Sequence, residues 1–308
     1  LRASSFRTLL AVAAGKKLKL MQFDVKNAFT QADMDEVDLY VEPPEGHEEW
    51  ETLNGKRVSK LLHLQRALYG TKQASRLWQA ELRKFLTGFG FIQSKADPCV
   101  YRMLRGKDEI ILGVYVDDII TANRGDKLFD EFQAAFNTRF PERKSGKLYW
   151  FYEIAIDQHA DFSIYVNHQQ SIDKLCAKYI PSNKVSREYP TADKFAKLDR
   201  AANDMDKAKV QDFPYASIVG ALLYISVMSR PDIAFHTSML AKFLANPSPD
   251  CVDAAIVVLQ YLQSTSSRRL EFSGKVEVPP EFAIHDADIR QNFGFLAYSD
   301  SSWGNAVP

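Results

Sequence analysis

"GVYVDDIITA", residues 113–122, sets two adjacent aspartates between two apolar runs. Runs rich in Val, Ile and Tyr on either side of a short polar break predict a hairpin with Asp117 and Asp118 at its tip. An ionised carboxylate is costly to bury, and two side by side repel. The pair therefore needs either an exposed turn or a compensating cation. Aspartate is common in turns, and the bare dipeptide suits a turn residue pair. Its surroundings have to decide.

Working outward, residues 18–23 alternate as a strand ending at Asp24, which gives a third carboxylate at a strand end. If that strand neighbours the hairpin, Asp24, Asp117 and Asp118 converge. The turn-rich tetrad Arg105-Gly106-Lys107-Asp108 joins strands over 100–104 and 109–114, and 119–122 completes the pair around the two acids. A helix is predicted over 6–14. Another over 74–89 has Trp78, Leu82, Phe85, Leu86 and Phe89 on one face and ends at Gly90. Phe129, Phe132, Phe136 and Phe140 recur at helical spacing, as core rather than as a ligand box. Residues 148–156 and 162–166 form a further strand pair.

From Gln170 the pattern turns helical, over 172–179, 215–228 (stopped by Pro231), 232–244 and 250–263, the last with Val252, Ile256, Leu259 and Leu262 on one stripe. Residues 184–209 are polar and loop-like, and 293–298 is a final strand. The pattern is α+β in front, helical in the middle and β at the end.

Composition bounds the function. The 308 residues carry 39 Lys+Arg and 39 Asp+Glu, so distribution rather than net charge has to speak for nucleic acid. The charges are segregated: residues 31–51 hold nine acids and no Lys or Arg, whereas residues 56–84 hold eight basic groups and one acid, Glu81. Basic stretches of that kind track phosphates, although each alone also suits a solvated face. Cys99, Cys176 and Cys251 have neither zinc spacing nor disulfide pairing, which fits a reducing, intracellular compartment. No apolar run reaches the length of a membrane span. Both ends look cut from a longer chain.

Four ordered blocks then narrow the reading: "QFDVKNAF", "LQRALYGTKQASRLW", "GFIQSKADPCVY" and "YVDD". With "YASIVGALLYISVMSRPDIAFHTSMLAKFL" and "AYSDSSWG" further on, the chain closely resembles the reverse transcriptase region of copia-type LTR retrotransposon polyproteins. The resemblance implies an RNA-directed DNA polymerase, a nucleotidyltransferase that adds dNMP from a dNTP to a primer 3′-OH on an RNA or DNA template. It implies a right-hand palm, an antiparallel sheet backed by helices, with partial fingers over 1–160. A helical thumb and connection over 161–275 and the truncated start of a ribonuclease H module over 276–308 would follow. Asp24, Asp117 and Asp118 would be the catalytic carboxylates holding two Mg²⁺ ions, or Mn²⁺, with the backbone carbonyl of Val25 as a further ligand. Phe29 matches the steric gate that rejects a ribose 2′-OH, which also argues against an RNA-dependent RNA polymerase. Gln73, Lys72 and Arg76 would contact the dNTP, Tyr115 and Val116 the primer terminus and template, and Tyr152 and Glu153 the primer. The other polyprotein modules, integrase and ribonuclease H, would be partners. The family implies work in cytoplasmic particles with delivery of DNA to the nucleus, and no membrane.

The chain departs from the family pattern at several points. Thr71 replaces the usual Leu, and Ser75 replaces the usual Pro, a loss of proline that modestly loosens the turn before the helix. Tyr152-Glu153 stand where Leu-Gly is expected, so Glu153 brings bulk and negative charge to the primer turn. Asp300 matches the first ribonuclease H carboxylate, but Ser302 stands at a second family aspartate. The Lys/Arg-bearing fingers hairpin that clamps the triphosphate would lie before Leu1. These departures support an alternative, a degenerate or domesticated remnant that binds nucleic acid without efficient catalysis.

Overall fold

The computed structural model describes residues 1–34, 38–140, 143–180, 187–190, 195 and 197–274. The strand expected over 293–298, Asp300, Ser302 and the whole 276–308 segment lie outside the described residues.

The 113–122 stretch forms the centre of the larger sheet. Its six strands are β1 (Lys19–Val25), β6 (Ile92–Gln93), β7 (Val100–Arg105), β8 (Asp108–Tyr115), β9 (Asp118–Arg124) and β10 (Arg143–Lys147). Between β1 and β6 in the chain come four short strands, β2 (Tyr40–Val41), β3 (Trp50–Leu53), β4 (Lys56–Ser59) and β5 (Leu62–His63), paired β2 with β5 and β3 with β4. The large sheet runs β10-β1-β9-β8-β7-β6, antiparallel throughout. β9 is central and covered on both faces, which is why residues 119–123 are all buried and read as a near-continuous apolar run.

Alternation along the strands feeds two cores. On one face, Phe23, Val25, Leu112 and Ile119 pack against helices α2 (Ala74–Phe89) and α3 (Asp126–Arg139) through Trp78, Leu82, Phe132, Phe136 and Phe140. On the other, Leu20, Ile120 and Ala122 pack against α1 (Ala3–Lys16), whose Phe6, Leu9, Leu10, Ala13 and Ala14 recur at helical spacing. α2 ends where Gly90 takes φ 115°, its N–H bonding the carbonyls of Leu86 and Thr87.

A second sheet combines β11 (Trp150–Phe151), β12 (Ile154–Gln158), β13 (Ile164–Asn167) and β14 (Leu270–Phe272) in that order. The strand expected over 148–156 is thus two strands, split at Tyr152-Glu153. The boundary expected at residue 160 falls in the loop of the β12–β13 hairpin.

The helical region comprises α4 (Gln169–Tyr179), α5 (Asp204–Val210), α6 (Tyr215–Met228), α7 (Ala234–Ala241) and α8 (Pro249–Ser264). Ile172, Cys176, Ile218, Leu222, Leu240, Leu259 and Leu262 form its core. α5 corrects the reading of 184–209 as loop: Asn203 caps it by accepting from the Asp206 N–H, a local signal inside a polar run. The helix expected over 232–244 starts as a 3₁₀ turn, Pro231–Ile233, and its α part is shorter. The buried Arg230 pairs with Asp232 at 2.8 Å and bonds the carbonyl and hydroxyl of Thr265, tying the start of that turn to the end of α8. Among the described residues no single helix is long and apolar enough to cross a membrane.

Candidate active site

Asp117 lies in the two-residue turn between β8 and β9, with Val116 before it and Asp118 opening β9 opposite Tyr115. Val116 has φ 57°. Positive φ at the first turn residue alone is the pattern of a II′ turn, a position that favours glycine. A β-branched residue there stores strain on the order of 1–3 kcal/mol, and strain of that kind clusters at functional sites. Two contacts hold the turn. The indole N–H of the fully buried Trp78 donates to the Val116 carbonyl at 2.6 Å, and the Val25 N–H donates to the Asp117 carbonyl at 3.2 Å.

The neighbouring strand supplies the third acid. Asp24 on β1 is the direct cross-strand partner of Asp118, so the two side chains share one face of the sheet. Like charges directly opposite one another are destabilising. Burial, with the Asp117 and Asp24 charges added, raises the Asp118 carboxyl above the ordinary aspartate value, although its side chain stays on the solvent side of the hairpin. The set presents hard oxygen donors on strand ends, the chemistry that suits Mg²⁺. Among the described residues no three His, Cys, Asp or Glu side chains are drawn together so as to hold a metal ion as they stand. The fit is therefore one of donor chemistry and shared face, with the ligand oxygens still apart.

Phe29 stands five residues after Asp24 in a 3₁₀ turn, Ala28–Gln31, entered through Asn27 at φ 53°. Arg66 and Arg139 donate to the Thr30 and Gln31 carbonyls at 3.2 and 3.3 Å and fix this turn to its surroundings. Phe29 is half-buried and packs on the cluster of Ala32, Ala67 and Ala74 and on the main core. Gln73 stands half-buried at the N-cap position of α2, without a side-chain cap bond, and Lys72 and Arg76 are exposed. Thr71, in place of the family's Leu, bonds the Leu68 carbonyl through both its N–H and its hydroxyl, at 3.1 and 2.8 Å. The hydroxyl bond is one that a Leu at this position would not make.

Tyr152 and Glu153 lie in the turn between β11 and β12. Both have positive φ, 54° and 59°. The Tyr152 ring packs on Tyr115 at 4.2 Å between centroids, which links this turn to the β8–β9 hairpin. Tyr224 of α6 donates to the Tyr152 carbonyl, and Ser171 of α4 donates to the exposed Glu153 carboxylate at 3.4 Å.

Two residues were not assigned to the site from the sequence. Trp78 was read only as a packing residue; its place four residues after Ala74 on a buried face gives no hint of the Val116 contact. Tyr69, in the quoted "LYG", packs on Phe29 with ring centroids 4.5 Å apart. Burial and then the charges of Asp117 and Asp24 raise its phenol pKa, with the Ala28 backbone pulling the other way.

Residues 1–192 match the family model described as reverse transcriptase (RNA-dependent DNA polymerase). The chain is 29% identical over 292 residues to the retrovirus-related Pol polyprotein from transposon TNT 1-94 of Nicotiana tabacum, over 94% of this chain and 21% of that polyprotein. It is 28% identical over 288 residues to the corresponding polyprotein from transposon RE1 of Arabidopsis thaliana, over 94% and 19% of the two chains. A putative transposon Ty5-1 protein of Saccharomyces cerevisiae is 27% identical over 249 residues, 81% of this chain and 78% of that protein. The chain spans about a fifth of the length of the two plant polyproteins.

Proposed function

Because this chain belongs to the reverse transcriptase (RNA-dependent DNA polymerase) family and is a reverse transcriptase region of copia type, we propose that it carries the polymerising site of a retrotransposon polyprotein. It extends a primer on an RNA or DNA template. The primer 3′-oxygen attacks the α-phosphorus of a dNTP, the bond from that phosphorus to pyrophosphate breaks, and the hydroxyl proton is lost to solvent. The observation that carries this reading is Asp24 directly opposite Asp118, with Asp117 on the strained turn between β8 and β9.

Asp24, Asp117 and Asp118, with the Val25 carbonyl, would hold two Mg²⁺ ions or Mn²⁺. Bound there, the ions would supply the positive charge that acidifies the primer hydroxyl and neutralises the leaving pyrophosphate. The rest of the work is positioning. Phe29 fills the space beside the sugar, where a ribose 2′-OH would clash. Lys72, Gln73 and Arg76, around the start of α2, receive the triphosphate and template side. Tyr115 and Val116 lie against the primer terminus and template, and Tyr152-Glu153 against the primer backbone. The chain's partners are then template-primer, dNTPs and the other polyprotein modules, integrase and ribonuclease H, within intracellular particles and at the nucleus.

The test is extension of a primer annealed to an RNA template, with Mg²⁺ or Mn²⁺, by the chain alone and in its full reading frame. The expected outcome is metal-dependent addition of dNMP that Asp117→Asn abolishes. Salt-dependent template-primer binding with no extension by either form, unchanged in Asp117→Asn, would identify a non-catalytic remnant instead.

A further inference from the structure

We propose that Tyr69 is a positioning residue for sugar discrimination: its ring braces Phe29 in the attitude that excludes a ribose 2′-OH. The inference rests on the polymerase reading and deepens it.

Phe29 sits on a short 3₁₀ turn, an element too small to fix a ring by its own backbone. Inward, the ring packs on the small cluster of Ala32, Ala67 and Ala74 and on the edge of the main core that holds Phe23 and Trp78. On its inner side the ring therefore has the core to rest on, and on the open side the large surface against it is Tyr69. The two rings are 4.5 Å apart between centroids and inclined at 49°, within the range where aromatic pairs attract beyond simple burial. Tyr69 is 49% exposed, so it stands at the open rim of the site rather than in the core. Its backbone is held by the adjoining turn, where Thr71 bonds the Leu68 carbonyl twice. A tilt of Phe29 away from the sugar would open the space that excludes the 2′-OH, and the Tyr69 ring resists that tilt.

The test compares Tyr69→Ala and Tyr69→Phe with the unsubstituted chain, using dATP and ATP as probes. Binding of each triphosphate is followed by tryptophan fluorescence in the presence of Ca²⁺, and single-nucleotide incorporation with Mg²⁺ gives kcat and KM for each. The expected result is a dATP-over-ATP preference that falls about three- to tenfold in Tyr69→Ala, the range of one aromatic pair. The change appears as a lower KM for ATP while KM for dATP holds. Tyr69→Phe keeps the preference of the unsubstituted chain. An unchanged preference in Tyr69→Ala, or an equal loss of kcat for both nucleotides, overturns the inference while leaving polymerisation intact. Tyr69→Leu, judged by the same ratio, replaces the alanine variant if that one fails to melt cooperatively. A chain that binds neither triphosphate overturns this inference and the polymerase reading together.

Discussion

Asp118 is the residue on which charge and stability meet. Burial and the two nearby carboxylates raise its folded pKa above the unfolded value, so folding favours the protonated acid. The associated stability is complete below about pH 4, the ordinary aspartate range, and is lost as the pH rises through the raised folded value. Asp118→Asn removes that penalty. With the residue exposed, the gain at pH 7 should be at the low end of the about 0.2–1 kcal/mol typical of cross-strand charge pairs, or up to about one degree in Tm. The gain should vanish near pH 3.5, and thermal melts across that range check it. Millimolar Mg²⁺ should raise the Tm of the unsubstituted chain and leave Asp118→Asn unmoved; equal shifts in both would remove the metal from this site. Glu153 is the second such residue. At φ 59° it carries a side chain where glycine is at ease, so Glu153→Gly should stabilise by about 0.5–1 kcal/mol, measured by urea unfolding. It should also tighten template-primer binding at low salt, with the difference shrinking as salt is added.

At the scale of elements, α2 shapes the site through one atom. Trp78→Phe leaves the Val116 carbonyl without its 2.6 Å donor and opens a small cavity, a cost of about 2–3 kcal/mol. Primer extension should fall further than the folded fraction does, because the turn that carries Asp117 loosens. Leu82→Ala damages the same core through a helix-face residue away from that turn, and should lower stability while the folded fraction keeps its turnover. If both variants lose turnover equally, Trp78 is a packing residue only. α2 was legible from the sequence to its last residue, because its buried stripe and its glycine stop are both local. So was the β8–β9 hairpin, since an apolar run broken by two acids admits few alternatives. The resemblance marked a turn at Tyr152-Glu153, but the strand reading ran through it, because neither residue is a turn former and only the structure shows both at positive φ. The Tyr69–Phe29 contact was equally illegible: the residues lie 40 apart in the chain, and only the packed site brings their rings together.

Across the whole molecule, the front and helical regions are bound through one shared core. Met228, from the end of α6, is buried with Phe6, Phe151, Ile154, Ile164 and Val166. Arg7 of α1 donates to the Val227 carbonyl at 3.0 Å, and His168 and Ser229 share a buried hydrogen bond of 2.6 Å. β14, from the far side of the helical region, closes the small sheet against β13. A chain ended at residue 160 therefore loses β13, and with it Ile164 and Val166, which are 0% and 1% exposed. Each removes about 1.5–3 kcal/mol of burial. The cut also bares β12, whose Ile154 and Ile156 then line an unpaired edge that invites self-association. Losses of that size approach the whole stability of an ordinary domain. The 1–160 chain should melt without a cooperative transition, or aggregate, while a 1–274 chain melts in a single step in which the β-rich front and the helices unfold together. Calorimetry with light scattering separates the outcomes. A monomeric 1–160 chain that melts cooperatively near the temperature of the longer one would show that the six-stranded sheet stands without the helices behind it.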